Sequence, residues 1–153
     1  MYLTVHAAAG AAVGQFIPNV WIAFLAGFIS HFILDMIPHG DENIQHWKFF
    51  NTKLRRTIAA ALIDFGVLIA FSVYWLSTNQ IAQIPGIMYG AAGAVLPDAL
   101  WGFHELTGSK LLDWYRKLHN AAHHIIPKKL TIIQGFLVQV PLLAFCTWIL
   151  LHW

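Results

Sequence analysis

The chain alternates between long apolar runs and short polar ones, and the apolar runs are too long to be strands. Residues 3–16, 20–37, 57–76, 84–103 and 132–153 are nearly free of charge. A bilayer-crossing helix needs roughly 20 mostly apolar residues, so the pattern predicts five membrane helices. Pro18 and Asn19 break the first run from the second, and Lys53, Arg55 and Arg56 open the third. The first run is the shortest, with about 14 residues spanning about 21 Å as a helix. Rich in Ala and Gly, it can tilt, re-enter or sit low in the bundle. It lacks the basic start of a cleaved signal peptide. Residues 110–127 mix polar and apolar positions and suggest a short interfacial helix. Neither a linker nor a low-complexity tract divides the chain, so the expected fold is all-α: one integral membrane helical bundle over residues 1–153.

Composition sharpens this picture. Of the 153 residues, 58% are hydrophobic and 10% charged, against about 25% charged in a soluble domain. The single cysteine, Cys146, excludes a disulfide framework and a cysteine-based zinc ribbon. A formal charge of +2 makes no case for a nucleic-acid partner. Nine histidines are the anomaly in so apolar a chain.

Charge then orients the bundle. If five helices alternate, all nine Lys and Arg fall on the side that holds the N-terminus, residues 38–56 and residues 104–131. The positive-inside rule places that side in the cytoplasm, with the N-terminus in and the C-terminus out. The polar residues partition the same way. His6, His31, Asp35, Asp64 and Asp98 lie toward the cytoplasmic halves of their helices. His39, Asp41, Glu42, His46, His104, Glu105, Asp113, His119, His123 and His124 lie in the loops and short helix of that side, and only His152 lies at the other end. Trp21, Trp75, Trp148 and Trp153 fit an outer aromatic belt, and Trp47, Trp101 and Trp114 an inner one.

Within this convergence several groups carry chemistry. His31 and Asp35 stand four residues apart and share a helix face. Ionisable groups inside a membrane are costly and are usually paired or functional. Here they suit either metal ligation or a His–Asp hydrogen bond that joins helices. The segment from His31 to Glu42 also holds His39 and Asp41, and Pro38 and Gly40 turn the chain back toward Asp35. Asp98 follows Pro97, a break that frees backbone groups and re-aims the carboxylate. His119 and His123 have the i, i+4 spacing of zinc ligands on a helix. Arg116, Lys117, Lys128 and Lys129 surround them and suit a lipid phosphate equally well. His6 shares their level, and Asp64 is an intramembrane acid that suits either a ligand or a group supporting one. The spacing Gly27-x7-Asp35-x6-Glu42 recurs as Gly90-x7-Asp98-x6-Glu105, a faint internal echo.

These motifs resemble those of the membrane-bound metal-dependent hydrolases of the LexA-regulated inner-membrane type, which look distantly related to zinc-dependent phospholipase C. His6 matches that family's N-terminal histidine, and Leu96-Pro97-Asp98 its Leu-Pro-Asp motif. His119 and His124 match its H-x4-H pair by spacing, and Gly27, Ser30, His31 and Asp35 match G-x-x-S-H-x-x-x-D. The order of the Leu-Pro-Asp and Ser-His-Asp motifs is reversed here, and Leu100 stands where the family has a second acid. The resemblance implies a divalent metal, zinc first and then manganese or iron, and hydrolysis of a phosphoester on a lipid or lipid-linked substrate in a bacterial cytoplasmic membrane.

The expected function is therefore a metal-dependent membrane hydrolase with its site facing the cytoplasm. The candidate metal ligands are His6, His31, Asp35, Asp64, Asp98, His119, His123 and His124, with His39 or Asp41 as general acid or base. Two alternatives stand beside it. One is a di-iron oxidase, because HNAAHH also reads as a desaturase box. The other is a non-enzymatic metal- or lipid-binding or transport protein, although the outer helix halves lack the polar residues that a transport path needs.

Overall fold

The computed structural model describes residues 1–40, 53–78, 84–126 and 130–153. Its helices are α1 (Leu3–Gly14), α2 (Val20–Asp35), α3 (Lys53–Thr78), α4 (Ile84–Thr107), α5 (Asp113–His123) and α6 (Ile132–His152). A 3-10 turn, Lys110–Leu112, leads into α5, and there is no strand among the described residues. The all-helical expectation holds, and α5 falls within the segment foreseen as a short helix.

The five-span expectation is not carried by these helices. Among the described residues only Ile133–His152 is both long and apolar enough to cross a membrane. Helix α1 has 12 residues and α2 has 16, about 18 Å and 24 Å at 1.5 Å per residue. Helix α4 is longer, with 24 residues, but Pro97, Asp98, His104, Glu105 and its glycines dilute its apolar character.

The short helix α1 is the most deeply placed. Every residue of α1 except Leu3 and Val13 is buried, because α2, α3, α4 and α6 all pack on it. A helix that is apolar all round has no face to give to water, and its Ala and Gly content lets neighbours come close. An ideal Cβ at Gly10 would lie 2.3 Å from the Gly90 carbonyl oxygen, one at Gly14 2.2 Å from that of Gly86, and one at Gly27 2.0 Å from that of Gly90. Helices α1, α2 and α4 thus meet backbone to backbone, through small residues that let them approach closely.

These contacts also set direction. Gly10 faces Gly90 and Ala94 while Gly14 faces Gly86, so α1 and α4 are antiparallel. Gln139 bonds Tyr2 and Ile149 bonds Gln15, so α6 runs parallel to α1. The start of α1, the ends of α2 and α4, and the first half of α6 therefore share one end of the bundle.

Elsewhere the outer faces are apolar. Trp21, Leu25, Ile29 and Ile33 on α2, Leu62, Phe65 and Val73 on α3, and Ile133, Leu137 and Val140 on α6 are all exposed. Contiguous exposure of this kind marks a surface that meets something other than water.

Candidate metal centre

Three helix ends deliver the polar cluster. Asn19 caps α2 by accepting from the Trp21 and Ile22 amides at 3.0 and 3.3 Å, and the helix ends at Asp35 with Met36 as its cap. The chain then turns through Gly40, whose φ of +72° is readily adopted only by glycine. Gly135 on α6 admits this turn, since a Cβ there would lie 2.1 Å from the His39 carbonyl oxygen. Gln139 fastens it, donating to the same carbonyl at 2.9 Å while accepting from the Tyr2 amide at 2.8 Å.

Asp35 is the hub. Its side chain is fully buried, with Oδ2 2.9 Å from His31 Nε2 and 3.0 Å from His123 Nε2. Oδ1 lies 3.1 Å from His6 Nε2 and 3.0 Å from the Met1 amino nitrogen. Despite these approaches Oδ2 has no partner in hydrogen-bonding geometry, nor does either ring nitrogen of His6 or Nδ1 of His119. Buried polar atoms are normally satisfied, and orphans at this density call for an explanation such as an ion.

The first group of donors comprises His31, Asp35, Asp98 and His119. His31 Nε2 is 3.3 Å from His119 Nε2 and 3.9 Å from Asp98 Oδ1. His119 Nε2 is 3.3 Å from Asp98 Oδ1 and 3.7 Å from Asp35 Oδ2. Ligands at about 2.0–2.2 Å from a tetrahedral ion stand about 3.3–3.6 Å from one another, and these separations bracket that value. The tautomer agrees. The backbone carbonyl of Ala94, 2.8 Å from His31 Nδ1, accepts that nitrogen's N–H, so in the neutral ring Nε2 carries a lone pair toward two carboxylates. A backbone carbonyl orienting an imidazole in this way is the usual support of a ligating histidine. Lone pair against carboxylate is repulsive until a cation stands between them.

A second group, Asp35, His39 and His123, shares the same carboxylate. His39 Nδ1 donates to the Ile37 carbonyl at 2.7 Å, and its Nε2 lies 2.8 Å from the Met1 amino nitrogen.

Helix α5 is locked over the cluster by a residue that sequence reasoning passed over. The Tyr115 hydroxyl donates to the Pro97 carbonyl at 2.9 Å. Burial first, and then the nearby Asp98 and Asp35 carboxylates, push its pKa above the ordinary tyrosine range, so the donor stays protonated. Trp101 lies nearly parallel to the His119 ring, centroids 6.1 Å apart.

The remaining candidates have other places. His6 reaches the cluster only through Asp35, stacked on His31 at 3.9 Å between centroids, and belongs to neither group. Asp64 caps α1 from outside: its carboxylate accepts from the Leu3 and Thr4 amides and the Thr4 hydroxyl, satisfying donors that a helix start leaves open. His124 is exposed and donates to the Asn120 carbonyl, so the pair that converges is H-x3-H and not H-x4-H. His39, foreseen as an acid or base, is buried among prospective ligands. Asp41, His46 and Glu42 lie outside the described residues. His104 stands apart, 2.7 Å from Asp113 at the start of α5.

The echo noted in the sequence has a spatial meaning in its first two members. Gly27 touches Gly90, and Asp35 and Asp98 both face His31 and His119. The Gln139 clasp left no sequence signal, since a lone glutamine in an apolar helix does not name its partner.

No protein-family model, curated protein or solved structure matches this chain.

Proposed function

We propose that this chain is a metal-dependent membrane hydrolase acting on a phosphoester of a lipid or lipid-linked substrate. The observation that carries the reading is the His31/Asp35/Asp98/His119 group, whose donor atoms lie within 4.8 Å of one another and of which all but Asp98 are buried, with orphaned polar atoms among them. The motifs behind the hydrolase resemblance also meet there, since Asp35 and Asp98 come from its two Asp-containing motifs.

A divalent cation held by this group would polarise a phosphoryl oxygen and acidify a bound water to a pKa of about 7. The chain's own part is positioning. Ala94 orients His31, Tyr115 holds α5 across the ends of α2 and α4, and Trp101 flanks His119. The side chains of Asp98 and His123 are 25% and 18% exposed while those of His31 and Asp35 are at 0%, so substrate approaches from the α4–α5 side. Exposed Lys110, Arg116 and Lys117 border that approach and suit an anionic head group.

The membrane setting rests on the apolar outer faces and on α6. In this reading the helices form an N-in, C-out bundle with α5 at the cytoplasmic interface, supported by α4 running antiparallel to α1 and α6 parallel to it. Short α1, packed on four sides, then needs no lipid contact of its own.

The test is elemental analysis of detergent-purified protein beside the Asp35→Ala/His119→Ala double variant, followed by release of phosphate or head group from lipid phosphoesters. Bound zinc or manganese with turnover, both lost in the variant, is the expected result. Iron at two per chain with no phosphoesterase turnover would replace the reading with an oxidase. No retained metal after reloading would remove both.

A further inference from the structure

The two donor groups share one residue, and their chemistry is duplicated. The first has His31, whose Nδ1–H donates to the Ala94 carbonyl. The second has His39, whose Nδ1–H donates to the Ile37 carbonyl. Each carbonyl leaves the Nε2 lone pair facing inward, the arrangement that supports a ligating imidazole. Helix α5 contributes one further imidazole to each group, His119 to the first and His123 to the second. One helical turn separates them, so their rings lie side by side with centroids 4.9 Å apart. Asp35 stands between, its Oδ2 3.7 Å from His119 and 3.0 Å from His123.

We infer that Asp35 is a bridging carboxylate and that the chain holds two divalent cations, one in each group. This rests on the reading of the first group as a metal site and adds a second ion and the link between them. A single cation would leave one of the paired, carbonyl-oriented histidines and one α5 imidazole without a role. Two cations also account for a fully buried Asp35 whose Oδ2 is approached by imidazoles of both groups, His31 of the first at 2.9 Å and His123 of the second at 3.0 Å. In the structure the Met1 ammonium supplies the positive charge beside the second group, 2.8 Å from His39 Nε2 and 3.0 Å from Asp35 Oδ1. A second cation takes over that charge balance. Paired ions about 3.5–4 Å apart are the arrangement that clamps the attacking and leaving oxygens of a phosphoryl displacement.

The experiment strips the detergent-purified full chain with a chelator and titrates it with Mn²⁺ alone. Bound metal is counted after desalting, and spin coupling is read by electron paramagnetic resonance. The expected result is two ions per chain with the signature of a coupled pair. His123→Ala reduces the count from two to one and leaves an uncoupled six-line signal, and so does His119→Ala. His39→Gln repeats the test of the second group from a different element, and a thermal melt of each variant checks folding. Wild-type saturation at one uncoupled ion, lost in His119→Ala, would overturn the second ion and leave the first group standing, with the ammonium holding the other place. A wild type that binds none would overturn both groups. Two coupled ions without hydrolysis of any phosphoester would uphold the pair and remove the hydrolase.

Discussion

Helices α1, α2 and α4 are built on opposite rules at their two ends. In their middle they are joined by glycines, with Gly10, Gly27 and Gly90 in backbone contact. At the shared end the same helices carry His6, His31, Asp35 and Asp98, nearly all of it buried. The apolar seam makes the polar end possible. Imidazole and carboxylate side chains are short, and only helices whose backbones touch bring them to a common point from three directions. The seam gains from packing, whereas the polar end is costly without a cation or a full set of partners.

Several variants would break or sharpen this contrast. The largest effect is expected from Asp35→Ala, which removes the carboxylate shared by both donor groups and the counter-charge of the Met1 ammonium. Removing one partner of a buried charged set costs about 3–5 kcal/mol, read by thermal unfolding, and metal retention should vanish with it. If Asp35→Ala instead stabilises the metal-free protein, the cluster is held together by repulsion that only an ion relieves.

Next comes Gly27→Ala. Its methyl would stand 2.0 Å from the Gly90 carbonyl oxygen, and backbone cannot step aside as a side chain can. Overpacking of this kind costs about 1–3 kcal/mol, and metal content should fall in parallel because His31 and Asp35 move with α2. Gly66→Ala is the matched control, meeting nothing within 4 Å, and should raise stability by about 0.5–1 kcal/mol. A Gly27→Ala protein that melts normally and keeps its metal would separate the seam from the site.

Gln139→Ala leaves the Tyr2 amide and the His39 carbonyl without the partner that joins them. A buried group left unsatisfied costs about 1–3 kcal/mol, and the second donor group should loosen before the first. Smallest is His124→Ala, expected to leave stability and metal content unchanged, in contrast to His123→Ala one residue earlier. Equal losses from both would restore the H-x4-H pairing that the resemblance implies.

Much of this arrangement was legible in the chain. Apolar runs placed α2, α3, α4 and α6, and the helix near residues 110–127 followed from its mixed pattern. The clustering of titratable groups on one side was equally plain, because alternation of helix direction converts sequence position into level. Asp64 shows where that logic stops: level alone does not separate a ligand from a cap, and the start of α1 reaches the acid before any ion can. His124 shows the same limit at one-residue resolution, since a spacing of five looks as good as four until the helix is known to end at His123. Gln139 and Tyr115 were invisible because each bonds a backbone carbonyl, which every residue has.

The sequence by itself determined the helices, their polarity and the end at which the histidines gather, since these follow from local periodicity and from where charges can be tolerated. Tertiary structure alone decided that α1 is the centre of the bundle, that Asp35 is shared by two groups of donors, and which histidines join each group. Those outcomes depend on how closely helices approach and how they are rotated about their axes. Both are set by glycine contacts between residues far apart in the chain, which no local pattern records.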